Sequence, residues 1–91
     1  MAFLLAHFEV ADYEQWKQMF DSDPAGRQGS AVGHQVFQAV DDPNKVFVGV
    51  EFASADEANT FRERLLASGA LDRVTVKTEP TVVESVDQTR Y

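Results

Sequence analysis

Apolar and polar positions alternate from the start of the chain. Ala2, Leu4, Ala6, Phe8 and Val10 fall on one side of an extended segment, and Phe3, Leu5, His7 and Glu9 on the other. That period of two predicts a strand with one apolar face and one mixed face. The period then changes. In "ADYEQW" Asp12 stands where a helix N-cap belongs and Gln15 where its capping-box partner belongs. Tyr13, Trp16 and Phe20 follow at helical spacing, which predicts a helix of about three turns ended by "DSDPAG". "DPAGRQGS" has loop composition but is short, so it connects elements within one domain.

A second strand is predicted from Ala31 to Val40 and a third from Val46 to Phe52, joined by a turn at "DDPNK". There Asp42 can accept from the backbone, Pro43 presets its φ and Asn44 tolerates the tight position. "SADEANTFRERLLASG" carries the clearest helix signature: Ser54 and Glu57 form a capping box, Ala58, Phe61 and Leu65 repeat on one face, and Gly69 stops it. "VTVKTEPTVVESV" reads as a last β segment, and Pro80 within it fits an edge strand that is bent or bulged. The order βαββαβ predicts an α+β, ferredoxin-like domain, a four-stranded antiparallel sheet with two helices on one face. It spans residues 1–87 as a single unit, with 88–91 a frayed tail.

If the hairpin pairs symmetrically about a five-residue turn, Val40 faces Val46, Val36 faces Val50 and His34 faces Phe52. These share a face with Leu4 and Phe8, apolar enough to meet the helices. The opposite face then holds Phe3, Leu5, His7, Glu9, Phe37, Phe47 and Glu51, with Gln35, Gly49 and Lys77 among them. Four large apolar side chains form a patch that a monomer rarely leaves bare. A homodimer with the two sheets stacked face to face is the economical cover. The assignment depends on strand two running without a bulge, since a one-residue slip moves His34 to the other face.

Composition narrows the classes of function. With no cysteine, disulfides, thiolate metal sites and thiol nucleophiles are excluded, and a cytoplasmic location is the default expectation. The formal net charge of −7, from 15 acidic and 8 basic residues, disfavours nucleic acid and anionic membrane as partners. No apolar run approaches the roughly 20 residues of a membrane span, and "MAFLLAHFEV" reads as a strand rather than a signal peptide.

The βαββαβ order, the "DYEQWKQMFD" first helix and the "DDPNKVFVGVEF" hairpin resemble the dimeric α+β barrel superfamily, over nearly the whole chain. Within it, the nearest branch is the small proteins grouped with the antibiotic-biosynthesis monooxygenases. The resemblance implies the fold and the dimer, and a small-molecule pocket between helices and sheet. It also implies cofactor-independent oxidation or isomerisation of a small planar, aromatic or polyketide-like molecule. The haem-degrading branch uses a helix-two histidine to bind iron; this helix two has none, so no haem or other cofactor is expected.

Candidate chemistry is sparse. His34, on the face assigned to the helices, could act as a base or hydrogen-bond donor, although a lone histidine is more often simply hydrogen-bonded to backbone or water. Phe8, Trp16 and Phe52 are candidate walls of a pocket, Tyr13 a candidate polar tip, and Arg27 a loop cation able to meet an anionic ligand at the mouth. His7 and Glu9 form a candidate pair inside the dimer, with Glu51 a candidate partner for Lys77. His7 and His34 point to opposite faces, so no metal site is expected. Two functions follow: an enzyme turning over a small aromatic molecule, or a dimer of the same fold that binds a ligand or a protein without turnover.

Overall fold

The computed structural model describes residues 1–91. The strands are β1 (Ala2–Glu9), β2 (Gly33–Ala39), β3 (Asp42–Phe52) and β4 (Thr75–Glu84), and the helices α1 (Tyr13–Asp21) and α2 (Ala55–Ala67). Single 3-10 turns at Arg27–Gly29 and Ala70–Arg73, which the sequence pattern does not predict, complete the βαββαβ order. All pairings are antiparallel, in the order β2-β3-β1-β4. This is the ferredoxin-like α+β fold expected from the pattern.

Both helices start at the caps the sequence marks. The Asp12 carboxylate accepts from the N–H of Gln15 at 3.2 Å, and the Ser54 hydroxyl from that of Glu57 at 3.2 Å. Each bond satisfies one donor that a helix N-terminus otherwise leaves open, worth about 1 kcal/mol. Beyond α2, Gly69 takes φ 75°, the left-handed conformation that ends a helix at low cost.

The hairpin differs from expectation. The turn is Val40–Asp41, β3 already begins at Asp42, and the rest of "DDPNK", Pro43 to Lys45, forms a bulge opposite β2 rather than the turn. Pro43 has no N–H to give to β2, and the Asn44 carbonyl instead accepts from Val10 at 2.9 Å, beyond the end of β1. Turn-forming residues therefore mark the place where β3 leaves one neighbour for the other. The register is consequently displaced by two residues: His34 pairs with Val50 and Val36 with Val48, and Val40 stands fully exposed in the turn. A shift of two preserves side-chain parity. Each strand thus keeps the face assigned to it, and β2 is shorter than predicted at both ends.

The even-numbered residues of β1 and β3 build the core. Leu4, Phe8, Val46, Val48, Val50 and Phe52 are buried against Trp16 of α1 and Ala58 and Phe61 of α2. β4 is an edge strand whose register shifts twice opposite β1, once at a buried Pro80 and again at Lys77. The Pro80 carbonyl accepts from Arg62 Nε at 2.6 Å, which fastens the irregular edge to α2. After Glu84 no regular element follows, and residues 85–91 are exposed.

Candidate functional site

The connection after α1 is built around Asp23. It holds φ 60°, a left-handed conformation that Asp tolerates better than most residues. Its carboxylate accepts from the backbone N–H groups of both Arg27 and Gln28. This tight loop turns Arg27 inward. The side chain expected at a pocket mouth is in fact buried, 5% exposed. Its guanidinium carbon lies 3.9 Å from the centroid of the Phe20 ring, and Nη1 donates to the Phe20 carbonyl at 3.2 Å. That carbonyl belongs to the last turn of α1, where the helix dipole favours a cation. The nearest carboxylate oxygen, Asp23 Oδ1, is 3.9 Å from Nη1, at the outer limit of an ion pair. Arg27 Nε is buried with no hydrogen-bond partner.

Arg27 and Asp23 form the polar part of a cavity between helices and sheet. Its volume is about 60 Å³, and 13 of its 17 lining residues are hydrophobic. Leu4, Phe8 and Val48 supply the floor, Trp16 and Phe20 one wall, and Phe61 and Leu65 the other. Drug-sized ligands occupy roughly 300–1,000 Å³, so only a compact group enters without movement. Trp16 and Met19 also line a second space of about 130 Å³, together with Val10, Asp12 and Arg73. Met19 is half-buried and unbranched, the side chain best able to move aside and join the two spaces.

Three of the candidate ligand residues, Phe8, Trp16 and Arg27, thus meet at one cavity. Phe52 is fully buried against Phe61, with ring centroids 5.4 Å apart, and is not among the lining residues. Tyr13 is half-buried beside Trp16, also outside the cavity. His34 is exposed on edge strand β2 and stands edge-on to Phe20 at 5.1 Å, so that ring screens it from the cavity. Asp23 is the residue the sequence reading passes over. "DSDPAG" signals a helix end, and the role of its second aspartate emerges only from the loop's closure.

Partial burial against Phe20, then the charges of Arg27 and Lys17, lower the His34 pKa from its usual 6.5, with Asp21 and Asp23 opposing them. The unfolded chain therefore binds more protons than the folded one between the lowered value and 6.5. The stability this confers is present above about 6.5 and is lost as pH falls through the folded value. In His34→Gln the acid-side decline of the urea midpoint should be shallower than in the wild type. Equal slopes in the two proteins would mean that neither burial against Phe20 nor these charges lower the His34 pKa.

The other sheet face carries Leu5, Phe37 and Phe47, each at least 40% exposed, beside half-buried Phe3 and Val83. The His7 ring stacks on Phe47 with centroids 4.0 Å apart and planes 12° apart, and its Nε2 is buried without a partner. Glu9 meets Lys77 at 3.8 Å instead of His7, and Lys77 is accordingly not the partner of Glu51. Gly49, across from Leu5, leaves the flat spot over which that side chain lies; a Cβ there would come within 3.3 Å of Leu5 Cδ2. No three His, Asp or Glu side chains come together in a way that would hold a metal ion. No helix is long and apolar enough to cross a membrane.

No family model and no curated protein matches the chain in sequence. Solved structures do match its fold. One is a provisionally assigned antibiotic biosynthesis monooxygenase from Nitrosomonas europaea, with a TM-score of 0.66 and 12% identity, covering 96% of this chain and 100% of that one. Another, provisionally assigned in the same way, comes from Deinococcus radiodurans, with a TM-score of 0.68 and 12% identity over 100% of this chain and 98% of that one. A third antibiotic biosynthesis monooxygenase gives 0.59 at 12% identity, over 96% and 100% of the two chains. At that identity the likeness establishes a common fold, end to end, with proteins of the class the sequence resembles.

Proposed function

We propose that the chain is a homodimeric, monooxygenase-like protein that takes a small, largely apolar organic molecule between helices and sheet. There it isomerises the molecule, or oxidises it with molecular oxygen, the molecule itself supplying the electrons without a cofactor. The observation that carries this reading is the apolar cavity with one buried guanidinium at its wall. A substrate that reacts through an enolate or phenolate develops negative charge on oxygen, and a fixed cation in a dry site stabilises such charge far more than water-exposed donors do. Phe8 in the floor and Trp16 in the wall are the rings against which a flat ligand packs, with Tyr13 beside Trp16 and Phe52 against Phe61. A ring-sized ligand enters by displacing Met19, and Phe20 is the side chain whose movement would bring His34 to the cavity as a base. The outer sheet face pairs with its copy through Phe3, Leu5, His7, Phe37 and Phe47.

One observation favours a second reading, a dimer that binds without turnover. Asp23 is the one carboxylate at the cavity wall, and both its oxygens already accept backbone N–H groups. A panel of small aromatic and quinone-like compounds separates the two. Under the first reading, one compound class shifts the Trp16 indole signal saturably in NMR spectra, and oxygen uptake or an isomer accompanies it. Saturable binding with unchanged substrate by mass spectrometry supports the second. If no small molecule moves the Trp16 or Phe8 signals, the cavity is packing space and both readings fall.

A further inference from the structure

We infer that the ligand of this cavity carries a carboxylate, bound by the free Nε–Nη2 edge of Arg27, on a short apolar body. The inference rests on the reading of the cavity as a small-molecule site and deepens it: the guanidinium meets a charge the ligand already carries, in place of one that develops during reaction.

Arginine is an expensive residue to bury. A guanidinium taken out of water needs its donors paired and its charge balanced. Here Nη1 alone takes the contacts, to the Phe20 carbonyl at 3.2 Å and more distantly to Asp23 at 3.9 Å. The opposite edge has Nε buried and unpartnered. The Nε–Nη2 edge presents two parallel N–H groups, the fork that a planar carboxylate fills with two hydrogen bonds. Asp23 does not serve as that carboxylate, because its oxygens are committed to the backbone of Arg27 and Gln28.

Charge and size point the same way. The whole chain is acidic, at −7, yet Arg27 is the one cation among the residues lining the cavity, and both oxygens of the one carboxylate there, Asp23, are taken by backbone N–H groups. One cation with one free edge matches a monoanion. A phosphate dianion would bring a second charge and further oxygens with nothing to meet them. A water needs about 10–15 Å³ of such a space, so about 60 Å³ takes roughly four to six groups of that size, and the body behind the carboxylate is a branched or linear chain of a few carbons. Phe8, Trp16 and Phe61 would enclose it.

The test is an NMR titration of uniformly labelled protein at neutral pH with isovalerate, with its neutral isostere isovaleramide, and with inorganic phosphate. Isovalerate is expected to shift the Trp16 indole and Arg27 Nε–H signals saturably, about tenfold or more tightly than the amide, as a charge-assisted bond requires. Phosphate should leave both unmoved. Bound isovalerate should also raise the His34 pKa, since it offsets the charge of Arg27, whereas the amide should not. Arg27→Gln should remove the preference for acid over amide; if that variant fails to fold, the acid–amide comparison on the wild type decides alone. Equal affinity for acid and amide overturns the carboxylate inference and leaves the cavity reading standing. If neither shifts the Trp16 signal, the carboxylate inference is overturned and the cavity reading is then judged by the aromatic panel above.

Discussion

Phe52→Ala should lower the free energy of unfolding by about 3–5 kcal/mol, the range for removing a fully buried aromatic side chain. Phe52 is 0% exposed at the end of β3, opposite Ala2 of β1, and its ring meets Phe61 of α2 at 5.4 Å. It therefore joins the middle of the sheet to the second helix, two residues before the cap that starts that helix. A chain of this length has a total stability of roughly 5–14 kcal/mol, so the substitution removes about a fifth of it at the least. The urea midpoint should fall by more than about 1 M. Phe52→Leu, which keeps most of the volume, should cost far less. A loss below about 1 kcal/mol for Phe52→Ala would mean that α2 does not depend on this contact.

The sequence discloses more about faces than about registers or loops. Parity along β1 and β3 is set by alternation, and it survives the two-residue displacement of the hairpin because the side-chain period is itself two. The register was not legible. "DDPNK" has every residue of a turn, and whether such a segment turns or bulges depends on a partner outside it, here the N–H of Val10 that seeks the Asn44 carbonyl. Helix caps were legible because each is a contact three residues long, as at Asp12 and Ser54. The site divides along the same line. Phe8 and Trp16 follow from periodicity. Arg27 follows only from loop closure, which depends on the left-handed Asp23 and its two backbone bonds. His34 shows the converse. It lies on the expected face, but on an edge strand and behind Phe20, and parity alone carries no information about distance from the sheet's centre.

Phe47→Glu should convert the proposed dimer to a monomer, raising its dissociation constant at least about 100-fold, a change of roughly 2.7 kcal/mol. In a twofold interface every substitution occurs twice, so two apolar rings are lost and two carboxylates arrive on a chain already at −7. Phe47 sits centrally, paired with Phe37 on one side and stacked on His7 at 4.0 Å on the other. It is 40% exposed in the single chain, so the monomer itself should be little destabilised. Sedimentation velocity at tens of micromolar measures the outcome. Leu66→Glu serves as the control, since Leu66 is exposed on α2, away from this face, and its substitution should leave the dimer intact. A wild type that sediments as a monomer would refute sheet-to-sheet pairing. A Phe47→Glu variant that stays dimeric would move the interface elsewhere, to the open edges of β2 or β4. The sheet lies between this face and Trp16, so the monomeric variant should keep the wild-type Trp16 fluorescence. A shift in that emission would mean that pairing of the sheets shapes the cavity on the far side, and that binding and assembly are one event.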